Sequence, residues 1–382
     1  MNQRVSRWTD TSGDLYVAVY GENSVFQYTT QIGTNPSANL VIGQDTFSLD
    51  DENLAPTTAS SFSYPAFVAI DTSVVPNRLY VADQLNNRVL GWKDVTALYN
   101  DAPADLVIGQ PDFISSTGNN GGISANSLYG TGPLAVDGSG NLYVADEGNN
   151  RVLEYNAPFA GCGSFPCVAG PANLVFGQGG SFTSNFANNG GVNANSLGGP
   201  GGIAVDAAGN LYVVDGENSR VLEYNTPLTS PAIPGSGDTT ADLVFGQGGS
   251  FTSSSCNSGG LNASSLCDPV GLVVDASGDV FVADTSNCRV LEYDSPLTTD
   301  TIADQVFGQP GFVSNTCNNG GISANSLYYP FGIGLDALGN LYATDNNNNR
   351  VLEYNTPLTN NTADLVFGQF NSFTSGTVNT AA

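Results

Sequence analysis

The most constraining feature of this 382-residue sequence is one phrase that occurs six times. NLYVADEGNNRVLEY, residues 141–155, has counterparts that begin at residues 14, 78, 210, 279 and 340. The leading apolar residues of the six copies are spaced 64, 63, 69, 69 and 61 residues apart: Leu15, Leu79, Leu142, Leu211, Val280 and Leu341. Because one such unit cannot bury its apolar faces alone, we expect the copies to pack against one another.

Each repeat contains four short runs that are typical of β-strands. In the repeat around residue 210 these are GIAVD (202–206), LYVVD (211–215), RVLEY (220–224) and DLVFGQ (242–247). The runs are apolar on both faces, as expected for four-stranded sheets that are arranged radially and covered by neighbours on each side. The sequence therefore predicts an all-β, six-bladed β-propeller with four antiparallel strands per blade, almost no helix, and one domain over residues 1–382.

Segment lengths show which connections are ordered. The crossing from one repeat to the next always spans 24 residues from a Phe to an Asp, as in Phe47 to Asp71 and Phe312 to Asp336. The segment between the third and fourth strands varies from 14 to 22 residues. We therefore expect ordered crossings with apolar anchors at Phe62, Leu128, Leu197, Leu266 and Leu327. Both termini fall within a sixth crossing, which predicts a ring closed at the termini.

Charge and hydropathy exclude several classes of partner. The net charge of −26, from 35 acidic and 9 basic residues, repels nucleic-acid phosphates and anionic lipids and attracts cations. No apolar run approaches the roughly 18 residues of a membrane-spanning helix, so we expect no membrane insertion. The first ten residues, MNQRVSRWTD, lack the apolar core of a signal peptide, so a leader has been removed or the chain is a segment of a longer protein.

The chain has six cysteines and no histidine. An even number of locally spaced cysteines indicates disulfides and an oxidising compartment, outside the cell or at its surface. We predict the pairs Cys162–Cys167 and Cys256–Cys267. Cys288–Cys317 is the third pair, and Cys256–Cys288 is the main alternative. There is no Cys-x-x-Cys sequence, which argues against a zinc site.

The phrase "VD-x-x-GN-LYVAD-x-x-NNRV" resembles the NHL repeat, and the resemblance covers nearly the whole chain. It implies a six-bladed propeller. The family often has Asn-His-Arg or Asn-His-Leu where this chain has Asn87-Arg88, Asn150-Arg151, Ser219-Arg220, Cys288-Arg289 and Asn349-Arg350. Some NHL-type enzymes are zinc lyases whose metal is held by His, and that function does not carry over to a chain without His. Neither does the RNA binding of some animal NHL domains, which depends on a basic face.

Five repeats carry an Asp and an Arg five residues apart across one hairpin. They are Asp83 and Arg88, Asp146 and Arg151, Asp215 and Arg220, Asp284 and Arg289, and Asp345 and Arg350. We interpret them as structural ion pairs with bidentate geometry, and a ring of charged ligands is the alternative. A Gly-Gln step occurs in all six repeats, at residues 43, 109, 177, 246, 308 and 368. Its presence in every repeat favours an architectural role.

Two groups of residues are candidates for ligand binding. Asp50, Asp51 and Glu52 form the only dense carboxylate cluster in a crossing and are candidates for calcium, with a solvated acidic turn as the alternative. The crossings also carry Asn residues whose amides offer donors and acceptors without charge. Asn119, Asn120, Asn188, Asn189, Asn318 and Asn319 are therefore candidates for a ligand face. The alternative is that these Asn residues satisfy only one another's backbones.

Taken together, these features favour a recognition or scaffold module outside the cell or at its surface. Its ligand would be neutral or cationic: a peptide, a glycan or calcium. A self-associating structural subunit of a surface layer or filament is the second hypothesis. A calcium-dependent lactonase or lyase, as in related six-bladed enzymes, is the third. The sequence shows no convincing catalytic constellation, so we lean against an enzyme, and calcium is the only cofactor that we consider.

Overall fold

The computed structural model describes residues 5–29, 37–47, 57–229 and 238–378, with only the backbone described for residues 5–8. These residues form β-strands, short 3-10 turns and loops, and none of them lies in an α-helix. By their internal contacts they divide into two compact units, residues 1–189 and residues 190–382. Each unit contains three four-stranded antiparallel blades. The prediction of an all-β, six-bladed propeller is therefore confirmed.

The first unit contains blades 1 to 3. Blade 1 consists of β1 (Val5–Thr9), β2 (Leu15–Val19), β3 (Ser24–Tyr28) and β4 (Leu40–Ile42). Blade 2 consists of β5 (Pro65–Asp71), β6 (Arg78–Asp83), β7 (Arg88–Trp92) and β8 (Leu106–Ile108). Blade 3 consists of β9 (Thr131–Val136), β10 (Leu142–Asp146), β11 (Arg151–Tyr155) and, after a short strand β12 (Cys167–Val168), β13 (Leu174–Phe176).

The second unit contains blades 4 to 6. Blade 4 consists of β14 (Pro200–Val205), β15 (Leu211–Asp215), β16 (Arg220–Tyr224) and β17 (Leu243–Phe245). Blade 5 consists of β18 (Leu272–Val274), β19 (Val280–Asp284), β20 (Arg289–Tyr293) and β21 (Gln305–Phe307). Blade 6 consists of β22 (Pro330–Leu335), β23 (Leu341–Asp345), β24 (Arg350–Tyr354) and β25 (Leu365–Phe367).

The repeated phrase forms the second and third strands of each blade. In blade 3, Leu142 lies opposite Tyr155 and Asp146 lies opposite Arg151. Every residue of these two strands is buried, because neighbouring blades cover both faces of the sheet. A 3-10 turn joins them, and it ends at a residue in the left-handed conformation, Asn150 at φ 53°. Asn tolerates this conformation better than most residues, which explains the Asn before the Arg.

The crossings are anchored as predicted. Phe62, Leu128, Leu197, Leu266 and Leu327 are each fully buried. Leu128 packs against Gly109, which has φ 88°, and a Cβ atom at Gly109 would lie 2.5 Å from Leu128 Cδ1. The Gly of the Gly-Gln step is therefore required both for its backbone conformation and for the space that the anchor occupies.

Blade 2 has a fifth strand that the sequence did not predict. β12, from the long loop of blade 3, pairs in parallel with β8 at the outer edge of blade 2. Cys167 N donates to Asp105 O at 2.8 Å, and Ala169 N donates to Val107 O at 2.9 Å. The loop between the third and fourth strands of blade 3 is therefore ordered at β12, although the length of this loop varies from blade to blade.

The structure contains the three predicted disulfides, Cys162–Cys167, Cys256–Cys267 and Cys288–Cys317. The alternative third pair, Cys256–Cys288, is not formed. Each bond joins segments that already approach closely, with Cα–Cα distances of 5.9, 4.4 and 5.1 Å. Closure of the ring at the termini and a single domain over the whole chain stay predictions.

Candidate functional site

We call the side of a blade that carries the crossings and the 3-10 turns between its second and third strands the crossing face. The Asp–Arg pairs lie buried beneath this face. Arg151 Nε donates to Asp146 Oδ2 at 2.7 Å, and Nη1 donates to Phe182 O in the following crossing at 2.7 Å. Nη2 donates to Ser124 O and Ser127 O in the preceding crossing at 3.0 and 2.8 Å. Each Arg therefore ties its blade to two crossings.

This geometry corrects one prediction. The ion pairs of all five blades are made by Nε, at 2.6 to 2.7 Å, and are not bidentate. The Nη groups are used by backbone carbonyls of the crossings instead. Since both side chains of every pair are fully buried, they are not placed to contact a ligand.

The Asn candidates of the crossings are bonded within the chain. Asn119 Nδ2 donates to Asn149 Oδ1 at 2.8 Å, and Asn149 Nδ2 donates back to Asn119 Oδ1 at 2.8 Å. Asn318 and Asn348 form the same reciprocal pair at 3.0 and 2.7 Å. Asn119, Asn188 and Asn318 also have left-handed φ values of 50° to 54°.

Asn120, Asn189 and Asn319, the second Asn of each Asn-Asn sequence, donate hydrogen bonds to neighbouring residues. Asn120 Nδ2 donates to Gln110 Oε1 at 3.2 Å, and Asn189 Nδ2 donates to Gln178 O at 3.4 Å. Asn319, which is exposed, donates to Ser314 Oγ at 2.8 Å. These hydrogen bonds give the Asn residues a structural role, and their role in ligand binding stays a prediction.

The Gln of the Gly-Gln step has a defined structural role. Gln110 Nε2 donates to Asn87 O at the end of a 3-10 turn and to Thr117 O in the following crossing, both at 3.0 Å. Gln247 makes the equivalent bonds to Ser219 O and Ser255 O at 2.9 and 3.0 Å. The side chain therefore joins a turn to a crossing, an architectural role that sequence reasoning left without a mechanism.

Four glutamates of the third strands are buried, three of them almost completely and Glu353 with 7% exposure. Glu154, Glu223 and Glu292 are at most 1% exposed. Burial raises the pKa of each to about 8, and nearby aspartates add to the effect. Both carboxyl oxygens of Glu154 and Glu223 lack a hydrogen-bond partner among the described residues. Sequence reasoning missed these groups, because the RVLEY phrase indicates a buried strand but does not show whether its Glu has a hydrogen-bond partner.

The residue type differs most between blades at two positions of the crossing face. The first position is two residues after the buried anchor of each crossing, and it is occupied by Tyr64, Gly130, Gly199, Asp268 and Tyr329. At the middle of the turns stand Gly21, Leu85, Gly148, Glu217, Ser286 and Asn347. The neighbouring Asn, Arg and Gln residues are nearly uniform, because the architecture uses them. The side chains at these positions differ from blade to blade, although the backbone there is left-handed in each of Tyr64, Gly130, Gly199, Asp268 and Tyr329.

In blades 2 and 3 these variable positions line an open cleft of about 630 Å³. Tyr129 and Leu85 are each 51% exposed, and Glu147 lies beside them. A Cβ atom at Gly148 would lie 2.5 Å from the Tyr129 ring, and a Cβ at Gly118 would also overlap it. Glycine at both positions is what allows the ring to lie here. The volume is within the usual range of small-ligand sites.

The basic side chains that the structure describes are all ion-paired. Seven of the nine basic residues have described side chains, and each of the seven is ion-paired. The other two, Arg4 and Arg7, lie outside the described side chains. An anionic ligand would therefore find no unpaired cation within the described part of the chain.

The calcium candidates Asp50, Asp51 and Glu52 lie outside the described residues. Among the residues that are described, no three His, Cys, Asp or Glu side chains converge closely enough to hold a metal ion. None of the described residues forms a helix of the length and apolarity that crossing a membrane requires.

Comparisons with known proteins agree with the fold. The family model of the NHL repeat matches residues 197–224 and 266–293. None of the curated proteins compared with the chain matches it. Virginiamycin B lyase from Staphylococcus aureus superposes with a TM-score of 0.51 and 11% identity, covering 97% of this chain and 86% of the lyase.

Two further solved structures are similar. A streptogramin B lyase has a TM-score of 0.53 and 10% identity, over 98% of this chain and 86% of its own. A functionally unknown protein from Desulfotomaculum acetoxidans has a TM-score of 0.53 and 13% identity, over 92% of this chain and 82% of its own. At such identities the likeness concerns the fold alone.

Proposed function

We propose that this chain, whose residues 197–224 and 266–293 match the NHL-repeat model, is an extracellular recognition module that binds a neutral or cationic ligand on its crossing face. One observation carries the proposal: Tyr129 and Leu85 are half exposed in a cleft that three variable positions, Leu85, Gly130 and Gly148, help to line. The three disulfides support a location outside the cell.

The cleft offers three kinds of contact. The Tyr129 ring provides a flat apolar surface with a polar hydroxyl, and the Leu85 side chain provides an aliphatic one. Aromatic groups of this kind bind sugars, aliphatic side chains and cations through their faces. Glu147 adds negative charge at the same cleft. A peptide segment or a glycan fits these contacts better than a phosphate-bearing ligand does.

The experiment begins with glycan and peptide arrays probed with the intact, oxidised chain. The leading ligand is then titrated against Tyr129→Ala and Leu85→Ala. We expect Tyr129→Ala to weaken binding at least tenfold, since an aromatic anchor at a binding site contributes about 2 kcal/mol or more, and Leu85→Ala to weaken binding by a smaller factor. Ile114→Ala is the matched control, because Ile114 is an apolar residue of a crossing, 69% exposed, that does not line the cleft.

Three results would contradict the proposal. Equal binding by Tyr129→Ala and wild type would place the site elsewhere. Loss of binding only when residues 158–171 are altered would place it on the opposite side of the blades. Concentration-dependent assembly in size-exclusion chromatography and negative-stain microscopy, with no ligand found, would favour the layer or filament subunit. Asn119→Ala, Asn188→Ala and Asn318→Ala test the predicted Asn contacts in the same assay.

A further inference from the structure

Aromatic and aliphatic side chains follow one another on the crossing face of blades 1 to 3. Tyr20 opens the 3-10 turn of blade 1, and its ring centroid lies 4.7 Å from that of Tyr64, which immediately precedes β5 of blade 2. Leu85 and Tyr129 follow at the junction of blades 2 and 3, where both line the open cleft. The equivalent positions read Gly-Glu and Gly-Gly in blade 4, and Thr-Ser and Cys-Asp in blade 5. The architecture of a blade therefore does not require apolar side chains here.

These four residues form one continuous surface. Leu85 N donates to Ser63 O at 3.1 Å, so the turn that carries Leu85 contacts the segment that carries Tyr64. Leu85 also lines the cleft together with Tyr129, so it connects the two aromatic positions. We call Tyr20, Tyr64, Leu85 and Tyr129 the apolar path. It extends across the junction of blades 1 and 2 and the junction of blades 2 and 3.

Tyr64 occupies a position whose backbone conformation favours glycine. Its φ is 56°, and Gly130 and Gly199 hold the same position in blades 3 and 4 with φ 65° and 59°. Tyr64 N donates to Asn23 Oδ1 at 2.8 Å, as Gly130 N donates to Asn87 Oδ1 at 2.8 Å. A bulky side chain in this conformation is uncommon and strains the backbone. Since the fold accepts glycine here, the Tyr64 ring points to a role at the surface.

The amide beside the apolar path is used by the fold, whereas the tyrosine hydroxyls are not. Asn87 Nδ2 donates to Leu85 O and Ser116 O at 3.2 and 2.9 Å. No hydrogen bond among the described residues uses the hydroxyl of Tyr64 or Tyr129. A sugar carries hydroxyls around its whole rim and needs several polar partners, but a proline ring needs none. The apolar path therefore suits an apolar peptide, whose carbonyl oxygens can accept from the two tyrosines, better than a glycan.

The spacing of the blades matches one turn of a polyproline II helix. Sheets that pack face to face lie about 10 Å apart, so successive blade junctions are separated by about this distance. A polyproline II helix has three residues per turn and rises about 3.1 Å per residue, so the same side of it returns about every 9 Å. Prolines three residues apart can therefore contact Tyr64 and Tyr129 in succession.

Acidic side chains stand at both ends of the apolar path. Glu22 ends the 3-10 turn that begins at Tyr20, and Glu147 lines the cleft with Tyr129. The net charge of the whole chain is −26. These charges attract basic residues that flank a bound segment.

We propose that the apolar path binds a proline-rich peptide segment with basic flanking residues, in the polyproline II conformation. Such segments dock in grooves lined by aromatic side chains, and they lose little conformational entropy because the helix is already formed in the free peptide. The inference rests on the proposed function and narrows its ligand class. It also adds Tyr20 and Tyr64 to the residues that contact the ligand.

Fluorescence polarisation with the intact, oxidised chain tests the inference, and the probe is a labelled decaproline peptide with an arginine at each end. We expect saturable binding by wild type and at least about tenfold weaker binding by Tyr64→Gly and by Tyr129→Ser. Both variants should fold, because glycine holds the position of Tyr64 in blades 3 and 4, and Ser63 holds the position of Tyr129 in blade 2. Tyr329→Gly is the matched control. Tyr329 has φ 53° at the equivalent position of blade 6, outside the apolar path, so we expect unchanged affinity.

A second peptide, with glycine in place of every proline, keeps the length and charge of the probe but not its rings. We expect it to bind at least about tenfold more weakly than the proline probe, and equal binding of the two peptides would overturn the inference. Urea unfolding of each variant checks that the fold is retained.

The remaining outcomes separate this inference from the proposed function. Equal affinity of Tyr64→Gly and wild type, with loss of binding by Tyr129→Ser, would overturn the inference and leave the proposed function in place. So would a glycan whose binding depends on Tyr129, if wild type shows no saturable binding of the proline probe up to about 1 mM. An equal loss in Tyr329→Gly and Tyr64→Gly would also overturn the inference. Unchanged binding of the proline probe by Tyr129→Ser would overturn both proposals.

Discussion

Replacing Glu223 by Gln tests how much the buried acids cost the fold. Glu223 is fully buried, and both of its carboxyl oxygens lack a partner among the described residues. Burial, with Asp242 and Asp206 nearby, raises its pKa from 4.5 to about 8. The folded protein therefore holds the proton more tightly than the unfolded chain does. Stability from this group is complete below pH 4.5 and is lost as the pH rises towards 8.

The size of the effect follows from the pKa. At about 1.4 kcal/mol per pH unit, keeping the ionised acid buried above pH 8 costs up to about 5 kcal/mol. Relaxation around the charge lowers this figure, so we expect about 2 to 4 kcal/mol. Glu223→Gln removes the charge and adds an amide donor, as Gln27 does in blade 1, where it bonds to Tyr16 Oη and Asp14.

The assay is urea unfolding, followed by circular dichroism, of the oxidised protein at pH values from 4.5 to 9. We expect Glu223→Gln to be more stable than wild type by about 2 to 4 kcal/mol at pH 8.5. The two should differ by less than about 1 kcal/mol at pH 4.5, where the acid is protonated in the folded protein and half protonated in the unfolded chain. Glu217→Gln, at an exposed site in the same blade, is the control and should change little at any pH. A difference between Glu223→Gln and wild type that does not grow with pH would refute the reasoning.

Three further substitutions test the architecture. Arg151→Lys removes a guanidinium that makes four hydrogen bonds, and we expect the free energy of unfolding in urea to fall by about 3 to 5 kcal/mol. Arg78→Lys is the control at a partly exposed ion pair and should lower it by less than about 1 kcal/mol. Gly109→Ala should cost about 2 to 4 kcal/mol because of its φ of 88° and the overlap with Leu128, whereas Gly138→Ala has open space and should be nearly neutral. Cys162→Ser opens a disulfide that spans five residues, and we expect a loss of about 2 kcal/mol and faster hydrogen exchange at the Ala169 amide, which donates to β8. Unchanged exchange at Ala169 would mean that the disulfide does not hold β12 in place.

Much of the fold could be predicted because the same sequence pattern occurs in every repeat. Six copies of one phrase indicated the number of blades, and short apolar runs indicated the strands. The constant crossing length indicated anchors, and Leu128 and its counterparts are buried as expected. Local cysteine spacing indicated the disulfides. These features depend on short-range patterns, which a sequence displays directly.

Other features depended on contacts between segments far apart in the chain. The sequence suggested bidentate pairs, but Arg151 reaches two crossings, at Ser124 and Phe182, and that requires the folded arrangement. The pairing of β12 with β8 also joins different blades, and no local pattern indicates it. The Gln of the Gly-Gln step could be recognised as architectural, but its two carbonyl partners could not be named.

The sequence by itself determined the repeat, the all-β blades and two of the three disulfide pairs. Only the tertiary structure decided which polar groups are used up by the fold and which remain available. It bonded Asn119 to Asn149, exposed Tyr129 and Leu85, and buried Glu223 without a hydrogen-bond partner among the described residues. The physical reason is that hydrogen-bond satisfaction and burial are properties of the space around an atom, and segments distant in sequence fill that space.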